Sequence, residues 1–226
     1  MKSDAKSTIE TGKAILGIEL GSTRIKAVLI DQENKPIAQG NHTWENQLVD
    51  GLWTYSIEAI WSGLQDCYAD LRSNVKNLYG IEIENLAAIG VSAMMHGYMP
   101  FNAKEEILVP FRTWRNTNTG RAAAALSDLF VYNIPLRWSI SHLYQAILDN
   151  EAHVKDIDFL TTLAGYVHWQ LTGEKVLGIG DASGMLPIDP ATNNYSAEMV
   201  AKFDKLIAPK EYSWKLEDIL PKVLSA

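Results

Sequence analysis

The stretch GIELGSTRIKAVLID, residues 17–31, joins two apolar segments through a turn of small residues. An apolar run precedes the turn, at Ile15, Leu16, Ile18 and Leu20, and another follows it, at Ile25, Ala27, Val28, Leu29 and Ile30. Two such runs predict β-strands, and Gly21, Ser22 and Thr23 between them predict a tight hairpin. Glu19 occupies a position where a buried strand would prefer valine or isoleucine, so the hairpin carries a carboxylate beside its tip.

A hairpin tip of this composition is suited to binding phosphate. Backbone N–H groups at a turn of Gly, Ser and Thr can surround phosphate oxygens, because small side chains let the anion approach closely. A neighbouring carboxylate can hold a magnesium ion through water while the metal bridges the phosphate oxygens. An ordinary β-turn with an edge-facing glutamate explains the same residues, so both interpretations stay open at this point.

Composition excludes several classes of protein. The chain has 226 residues, of which 47% are hydrophobic, enough for one large domain or two small ones with a substantial core. Its formal charge of −7, with acids and bases mixed, argues against a nucleic-acid surface. The single Cys67 excludes an intrachain disulfide and a multi-cysteine metal site. No apolar run approaches membrane length, so we expect a cytoplasmic protein without a membrane partner, with residues 1–12 as a disordered tail.

The periodicity along the chain predicts an α/β fold. After the hairpin, IAQGNHTW (37–44) is a third strand, which completes an antiparallel meander. Apolar residues then recur every three or four positions from Trp53 to Leu78, which predicts one long helix closed by Gly80. LAAIGVSA (86–93) is a short apolar run typical of a buried strand. Helices are expected again at 121–130, at 139–150 with Ser139 or Ser141 as its cap, and at 159–173 with Gly173 at its end. This order predicts a mixed sheet flanked by helices.

GDASGM (180–185) contains an aspartate that is a candidate base. Asp181 lies between glycines in a segment too irregular to be a plain strand. An aspartate in such a place can accept the proton of a hydroxyl as it attacks a phosphorus. The alternative is an aspartate that caps a helix or turn beginning at Ala182 or Ser183.

SAMMHGYM (92–99) directly follows the predicted buried strand. Sheets of α/β proteins place ligands at the carboxyl ends of their strands. His96 is suited to hydrogen-bonding a sugar hydroxyl, with Met94, Met95 and Tyr98 as apolar walls. The alternative is a packed histidine with one satisfied ring nitrogen.

With these motifs in this order along the chain, namely the hairpin, SAMMHGYM and GDASGM, the sequence resembles the amino-terminal half of the FGGY family of carbohydrate kinases, within the sugar-kinase/actin/Hsp70 superfamily. GIELGSTRIKAVLID is similar to the family's first phosphate hairpin, and VSAMMHGYM to its Gly-Gln-Met-His-Gly segment. TWRNTNT stands where the family has a tryptophan followed by an acid-and-arginine loop, and QLTGEKVLGIGDASGM resembles its Leu-Thr-Gly hairpin leading into Asp-Ala-Ser-Gly. The resemblance implies a ribonuclease H-like (actin-like ATPase) domain over residues 13–226.

The resemblance implies ATP and Mg²⁺ as cofactors. In that reading Gly21, Ser22 and Thr23 face the ATP phosphates, and Glu19 approaches the hydration shell of the magnesium ion. The family usually has aspartate where this chain has Glu19, which is one methylene longer.

The resemblance also implies a sugar site. Asp181 would be the general base that deprotonates the attacking hydroxyl, and Met95 and His96 would line the site. Trp53 is a further candidate, although it also fits the apolar face of the predicted helix. Asn116 and Asn118 stand where the family has aspartate and arginine, so substrate preference is not inherited from the well-known pentulose kinases.

The family carries a second domain of comparable size, for which these residues leave no counterpart. We therefore expect part of a ketose or polyol kinase (pentulose kinase-like), inactive without a carboxy-terminal nucleotide domain. Its partners would be a small-molecule sugar or polyol and that missing domain, or a second copy through self-association. The alternative is a non-catalytic sugar-binding or regulatory module.

Overall fold

The computed structural model describes residues 2–224, with side chains from Asp4 onward. These residues form two compact units, which are described separately below. The first unit comprises residues 2–46 and 55–94, and the second comprises residues 47–54 and 95–224. No helix among residues 2–224 is long and apolar enough to cross a membrane.

Both units contain short helices and strands, numbered here in chain order. The strands are β1 (Ile15–Leu20), β2 (Arg24–Ile30), β3 (Pro36–Thr43), β4 (Gln47–Val49), β5 (Leu52–Thr54), β6 (Ala88–Ala93), β7 (Met99–Phe101), β8 (Phe159–Thr161), β9 (Val176–Gly178), β10 (Ile188–Asp189), β11 (Asn194–Tyr195) and β12 (Lys222–Leu224). The α-helices are α1 (Lys2–Glu10), α2 (Ile57–Tyr79), α3 (Gly120–Phe130), α4 (Ser139–Leu148), α5 (Leu163–Thr172), α6 (Ile179–Ala182), α7 (Ala197–Ile207) and α8 (Leu216–Ile219). Two 3-10 helices cover Ala152–Asp156 and Ala208–Lys210.

The first unit contains a four-stranded mixed sheet in the order β3-β2-β1-β6. The strands β1, β2 and β3 form an antiparallel meander, with Glu19 opposite Lys26, and β6 runs parallel to β1. Helix α2 packs against β2 and β3. Gly40 allows this close packing, because a Cβ there would lie only 2.4 Å from the Cys67 carbonyl oxygen. The predicted meander and the α/β class with a mixed sheet are confirmed.

Two predictions for the first unit fail at its helices. Residues 1–12 were expected to be a disordered tail, but α1 occupies most of this stretch and buries Ala5 and Ile9. The long helix begins at Ile57, capped by the Ser56 hydroxyl, and not at Trp53. Its end at Gly80 is confirmed, because Gly80 adopts a left-handed conformation with φ of 69°.

Strand β6 forms where it was predicted, but it is not buried. Ile89 is 53% exposed, and none of the six residues of β6 is fully buried. A run of apolar residues identifies a strand, but it does not show that both faces of that strand are covered.

The second unit is built from strand pairs and helices around one apolar core. Its pairs are β4 with β5, β7 with β8, β9 with β12, and β10 with β11. Helix α5 ends at Gly173 as predicted, with φ of 80°. The predicted caps of α4 are wrong, because the Ser139 hydroxyl donates to the Gly97 carbonyl and the Ser141 hydroxyl donates to the Pro135 carbonyl. The largest side chains of this core include Tyr98, Phe130, Phe203 and Trp214.

Candidate functional site

The tip of the β1–β2 hairpin in the first unit has its backbone carbonyls already occupied. Trp44 donates its indole N–H to the Gly21 carbonyl at 2.7 Å and its backbone N–H to the Thr23 carbonyl at 3.2 Å. The Tyr55 hydroxyl donates to the Ser22 carbonyl at 2.5 Å, and the Gly21 N–H is used within the turn. The Thr23 hydroxyl has no partner among residues 2–224. The Thr23 hydroxyl is therefore a donor at the tip that remains for a ligand, which suits an anion.

The hairpin fits a magnesium ion only in a limited sense. Glu19 is exposed on β1, and its carboxylate lies 3.3 Å from the ammonium group of Lys26 on β2. No group of three or more His, Cys, Asp or Glu side chains among the described residues is arranged to hold a metal. Magnesium is commonly held by one or two carboxylates together with water and phosphate oxygens. Glu19 therefore fits an ion that is held mainly by a nucleotide.

In the second unit, the segment carrying His96 has an unusual backbone. His96 and Gly97 have φ of 69° and 100°, which is uncommon for a residue with a side chain. A Cβ at Gly97 would lie 2.7 Å from the Phe111 ring and 2.8 Å from the Arg112 carbonyl oxygen. The glycine is therefore required here by both conformation and space. Such a backbone is commonly found at functional sites.

The His96 ring has one nitrogen bonded and one available. Nδ1 lies 3.3 Å from the Gly184 carbonyl oxygen, and the ring stacks on Trp138 at a centroid distance of 6.5 Å. Burial lowers the pKa of His96, and the charge of Arg137 lowers it further, while the bond to Gly184 opposes the change. A neutral ring that donates from Nδ1 leaves Nε2 as an acceptor. The half-buried His96 can thus accept a hydrogen bond from a hydroxyl, while its one satisfied nitrogen also fits the packed histidine of the alternative interpretation.

Asp181 lies in α6, just before Gly184, whose carbonyl oxygen contacts the His96 ring. Its carboxylate accepts a hydrogen bond of 2.5 Å from the Thr162 hydroxyl, which itself accepts from the Gly165 N–H at the start of α5. Burial raises the pKa of Asp181, and the bond from Thr162 opposes this. The carboxylate does not cap a helix, because the cap of α6 is Gly178 without a side-chain bond. The capping alternative is therefore wrong.

Trp53 is part of β5 and not of a helix, because a side-chain amide fixes its backbone. Asn116 Oδ1 accepts from the Trp53 N–H at 2.9 Å, and Asn116 Nδ2 donates to the Trp53 carbonyl at 2.8 Å. Asn116 is only 4% exposed, so its amide serves the fold. The indole ring of Trp53 is half-buried and carries the Arg115 guanidinium 3.8 Å above its centre.

A buried polar network supports the same region from behind. Tyr98 and Arg112 pair through their backbones, and the Arg112 guanidinium forms a bidentate ion pair with Glu151. The Tyr98 hydroxyl lies 2.8 Å from His153 Nε2. Tyr98 is completely buried, so its expected role as a wall of the sugar site is wrong. The network instead holds the segments around His96 and Trp114 side by side.

The structure divides the predicted site residues between the two units. Glu19, Gly21, Ser22 and Thr23 belong to the hairpin of the first unit, and Trp53, Met95, His96 and Asp181 all belong to the second. Met95 is 46% exposed beside His96. Sequence reasoning missed the bond from Thr162 to Asp181 and the roles of Arg115, Arg137 and Trp138. No local signal identifies these contacts, because the partners lie far apart in the sequence.

Comparison with known proteins identifies relatives along nearly the whole chain. Residues 14–226 match the model of the FGGY family of carbohydrate kinases, N-terminal domain. The chain is 21% identical over 197 residues to a xylulose kinase of Klebsiella pneumoniae, and 22% identical over 214 residues to one of Lactococcus lactis. These alignments cover 84% and 87% of this chain.

Solved structures share its fold. A xylulose kinase from Brucella ovis matches with a TM-score of 0.75 at 21% identity, over 93% of this chain and 42% of its own. A gluconate kinase from Lactobacillus acidophilus matches with a TM-score of 0.76 at 19% identity, over the same shares. The chain spans about two fifths of the length of the curated relatives, 40% in each case. Since the family model covers nearly every residue, this chain belongs to the FGGY family of carbohydrate kinases and corresponds to its N-terminal domain.

Proposed function

We propose that this chain forms the sugar-binding part of an ATP-dependent kinase, which phosphorylates a hydroxyl of a ketose or polyol, in the manner of a pentulose kinase. The observation that carries the proposal is the contact between the His96 ring and the turn that follows Asp181. This contact joins two segments that lie 88 residues apart and leaves Nε2 of His96 without a hydrogen-bond partner among the described residues.

The side chains of the second unit supply the means to orient an acceptor. Nε2 of His96 accepts a hydrogen bond from a sugar hydroxyl, and Met95 contributes exposed apolar surface. Trp53, held by Asn116, offers an aromatic face to the C–H groups of a sugar.

The nucleotide part of the proposal rests on the hairpin of the first unit. Gly21 permits the tight turn, the amides and hydroxyls of Ser22 and Thr23 contact phosphate oxygens, and Glu19 orders water around Mg²⁺. When bound, Mg²⁺ and ATP supply the phosphoryl group and the charge that stabilises its transfer. Phosphoryl transfer depends on positioning, so a further region that holds the nucleotide is also part of this proposal. The greater length of the relatives supports it.

Asp181 has two roles to consider. As the general base, its second carboxylate oxygen would accept the proton of the attacking hydroxyl, and its raised pKa suits that task. As a positioning residue, it ties α6 to the start of α5 and so holds the Gly184 carbonyl against His96. The contacts favour the positioning role, because one carboxylate oxygen is taken by Thr162.

Two substitutions separate these roles. Asp181→Asn keeps an oxygen that can accept from Thr162, so in protein that carries the nucleotide-binding region it abolishes phosphate transfer from ATP only if Asp181 is the base. Thr162→Val removes the hydroxyl and weakens sugar binding only if Asp181 acts by positioning. A base contributes about 10²–10⁴-fold to the rate, so the first effect is easily measured.

The proposal is tested by titrating the protein with D-xylulose, other ketoses and polyols in a calorimeter. Wild-type protein and His168→Ala should bind at least one of these carbohydrates equally well, because His168 lies on α5 and has no part in the site. His96→Ala should weaken that binding about tenfold or more, as expected for a lost hydrogen bond in a polar site. Binding that is unchanged in His96→Ala, or absent for every carbohydrate, would refute the proposal.

A further inference from the structure

The second unit contains four arginines, and they differ in whether an acid neutralises them. Arg112 is paired with Glu151, and Arg121 is paired with Asp149. Neither Arg115 nor Arg137 forms an ion pair or a side-chain hydrogen bond with any residue in the described range 2–224. This is unexpected in a chain with 27 acidic residues and a net charge of −7.

Both unpaired guanidinium groups lie over tryptophan rings. Arg115 lies 3.8 Å above the ring centre of Trp53, and Arg137 lies 6.0 Å from that of Trp114. An aromatic face restrains the plane of a guanidinium without using its N–H groups. The donor edges of these two exposed arginines therefore remain available, and the contact with Trp53 keeps that of Arg115 in place. Such an edge can bind two oxygens of a carboxylate or phosphate at once.

Both arginines belong to segments that adjoin His96. The Arg137 carbonyl accepts a hydrogen bond from the Gly97 N–H at 3.4 Å. Arg115 follows closely after Arg112, which pairs antiparallel with Tyr98 and so brings the two segments together. The ring of Trp138, next in sequence to Arg137, stacks on His96. The segments that carry both arginines therefore border the proposed sugar site.

We propose that the acceptor carries an oxyanion, either a carboxylate or a phosphate ester, which Arg115 and Arg137 bind. This inference rests on the proposed function and narrows it from carbohydrates in general to sugar acids or sugar phosphates. Fold stability gains little from the two groups, because both are exposed and neither has an acidic partner among the described residues. The phosphates of a nucleotide offer the same chemistry, so the test separates the two sources.

The test compares pairs of ligands that differ in charge at one carbon. D-gluconate is paired with D-glucitol, D-xylonate with xylitol, and D-glucitol 6-phosphate is added to separate carboxylate from phosphate. Calorimetric affinities are measured for wild-type protein, Arg115→Gln, Arg137→Gln and the control Arg121→Gln. Arg121 is an exposed arginine of the same unit with an acidic partner.

The anionic member of a pair should bind at least tenfold more tightly than its neutral partner. Arg115→Gln and Arg137→Gln should each weaken the binding of the anionic carbohydrate about tenfold and leave the affinity for its neutral partner unchanged. Arg121→Gln should change neither affinity. Equal affinity for both members would overturn the inference but leave the proposed function intact. Failure of every carbohydrate to bind would overturn both.

Inorganic tripolyphosphate is the probe that represents the phosphates of a nucleotide in the same binding experiment. If Arg115→Gln or Arg137→Gln weakens tripolyphosphate binding and leaves the ratio between anionic and neutral sugars unchanged, the guanidinium groups serve the nucleotide. That result would overturn the assignment to the acceptor. If the variants change the ratio and leave tripolyphosphate binding unaltered, the assignment is supported.

Discussion

Asn116→Asp is predicted to destabilise the protein although it changes only one atom of the side chain. Asn116 is buried, and its Nδ2 donates to the Trp53 carbonyl at 2.8 Å and to the Thr113 carbonyl at 3.1 Å. A carboxylate in its place has no proton to donate. It would instead direct an oxygen at two carbonyl oxygens.

The size of the effect follows from these contacts. Each lost hydrogen bond costs about 1 kcal/mol, and the buried carboxylate that faces the two carbonyls without a proton to donate adds roughly 1–3 kcal/mol. We therefore expect the free energy of unfolding to fall by about 3–5 kcal/mol at neutral pH. Burial and the facing carbonyls favour the neutral acid, which raises the pKa of the introduced carboxyl. The loss should be full above that raised pKa and should shrink as the pH falls below it.

The assay is urea unfolding followed by tryptophan fluorescence, at pH 7 and at pH values near 4. Asn118→Asp is the matched control, because Asn118 is exposed and lies only two residues away. The free energy of unfolding of the control should lie within about 0.5 kcal/mol of the wild-type value. If Asn116→Asp also unfolds at the wild-type midpoint, the amide of Asn116 does not hold Trp53 and the reasoning is refuted.

Three further predictions concern the second unit. Gly97→Ala should lower the free energy of unfolding by about 3 kcal/mol or more, because the new Cβ combines a φ of 100° with a distance of 2.7 Å to the Phe111 ring. Gly173→Ala, with φ of 80° and open space around it, should lower it by only about 1 kcal/mol in the same urea assay. Glu151→Gln should cost about 3–5 kcal/mol by leaving the buried Arg112 without its counterion, and a normal melting temperature would contradict this. Because burial raises the pKa of Asp181, its ionised form destabilises the fold. The stability that Asp181 contributes is full below its pKa in the unfolded chain, and it is lost as the pH rises through its higher pKa in the folded protein. Asp181→Asn should thus be more stable than wild type at neutral pH but not below pH 3.8, and thermal melts across this range test it.

Elements with a clear local period could be predicted from the sequence. The hairpin and meander follow from apolar runs separated by turn residues, and the helix ends at Gly80 and Gly173 follow from the left-handed conformation that glycine permits. Trp53 misled the prediction because its spacing to Ile57 matches one helical turn. The bond with Asn116, 63 residues away, places it in a strand instead.

The candidate site was predictable only in part, because its residues are recognised locally but organised by distant contacts. His96 and Asp181 stand out within short segments of unusual composition. The Thr162 hydroxyl that binds Asp181, by contrast, lies in a helix start 19 residues earlier. Nor does the sequence show which arginines have acidic partners, since Arg112 finds Glu151 across 39 residues and Arg115 finds none within residues 2–224.

The measurement that tests the central claim most directly is amide hydrogen exchange with and without a bound carbohydrate. The account predicts that the ligand slows exchange in segments 95–98 and 181–185, where the His96 ring meets the Gly184 carbonyl. It also predicts slower exchange around 113–116. Protection confined to other parts of the second unit would contradict the claim that this contact forms the sugar site.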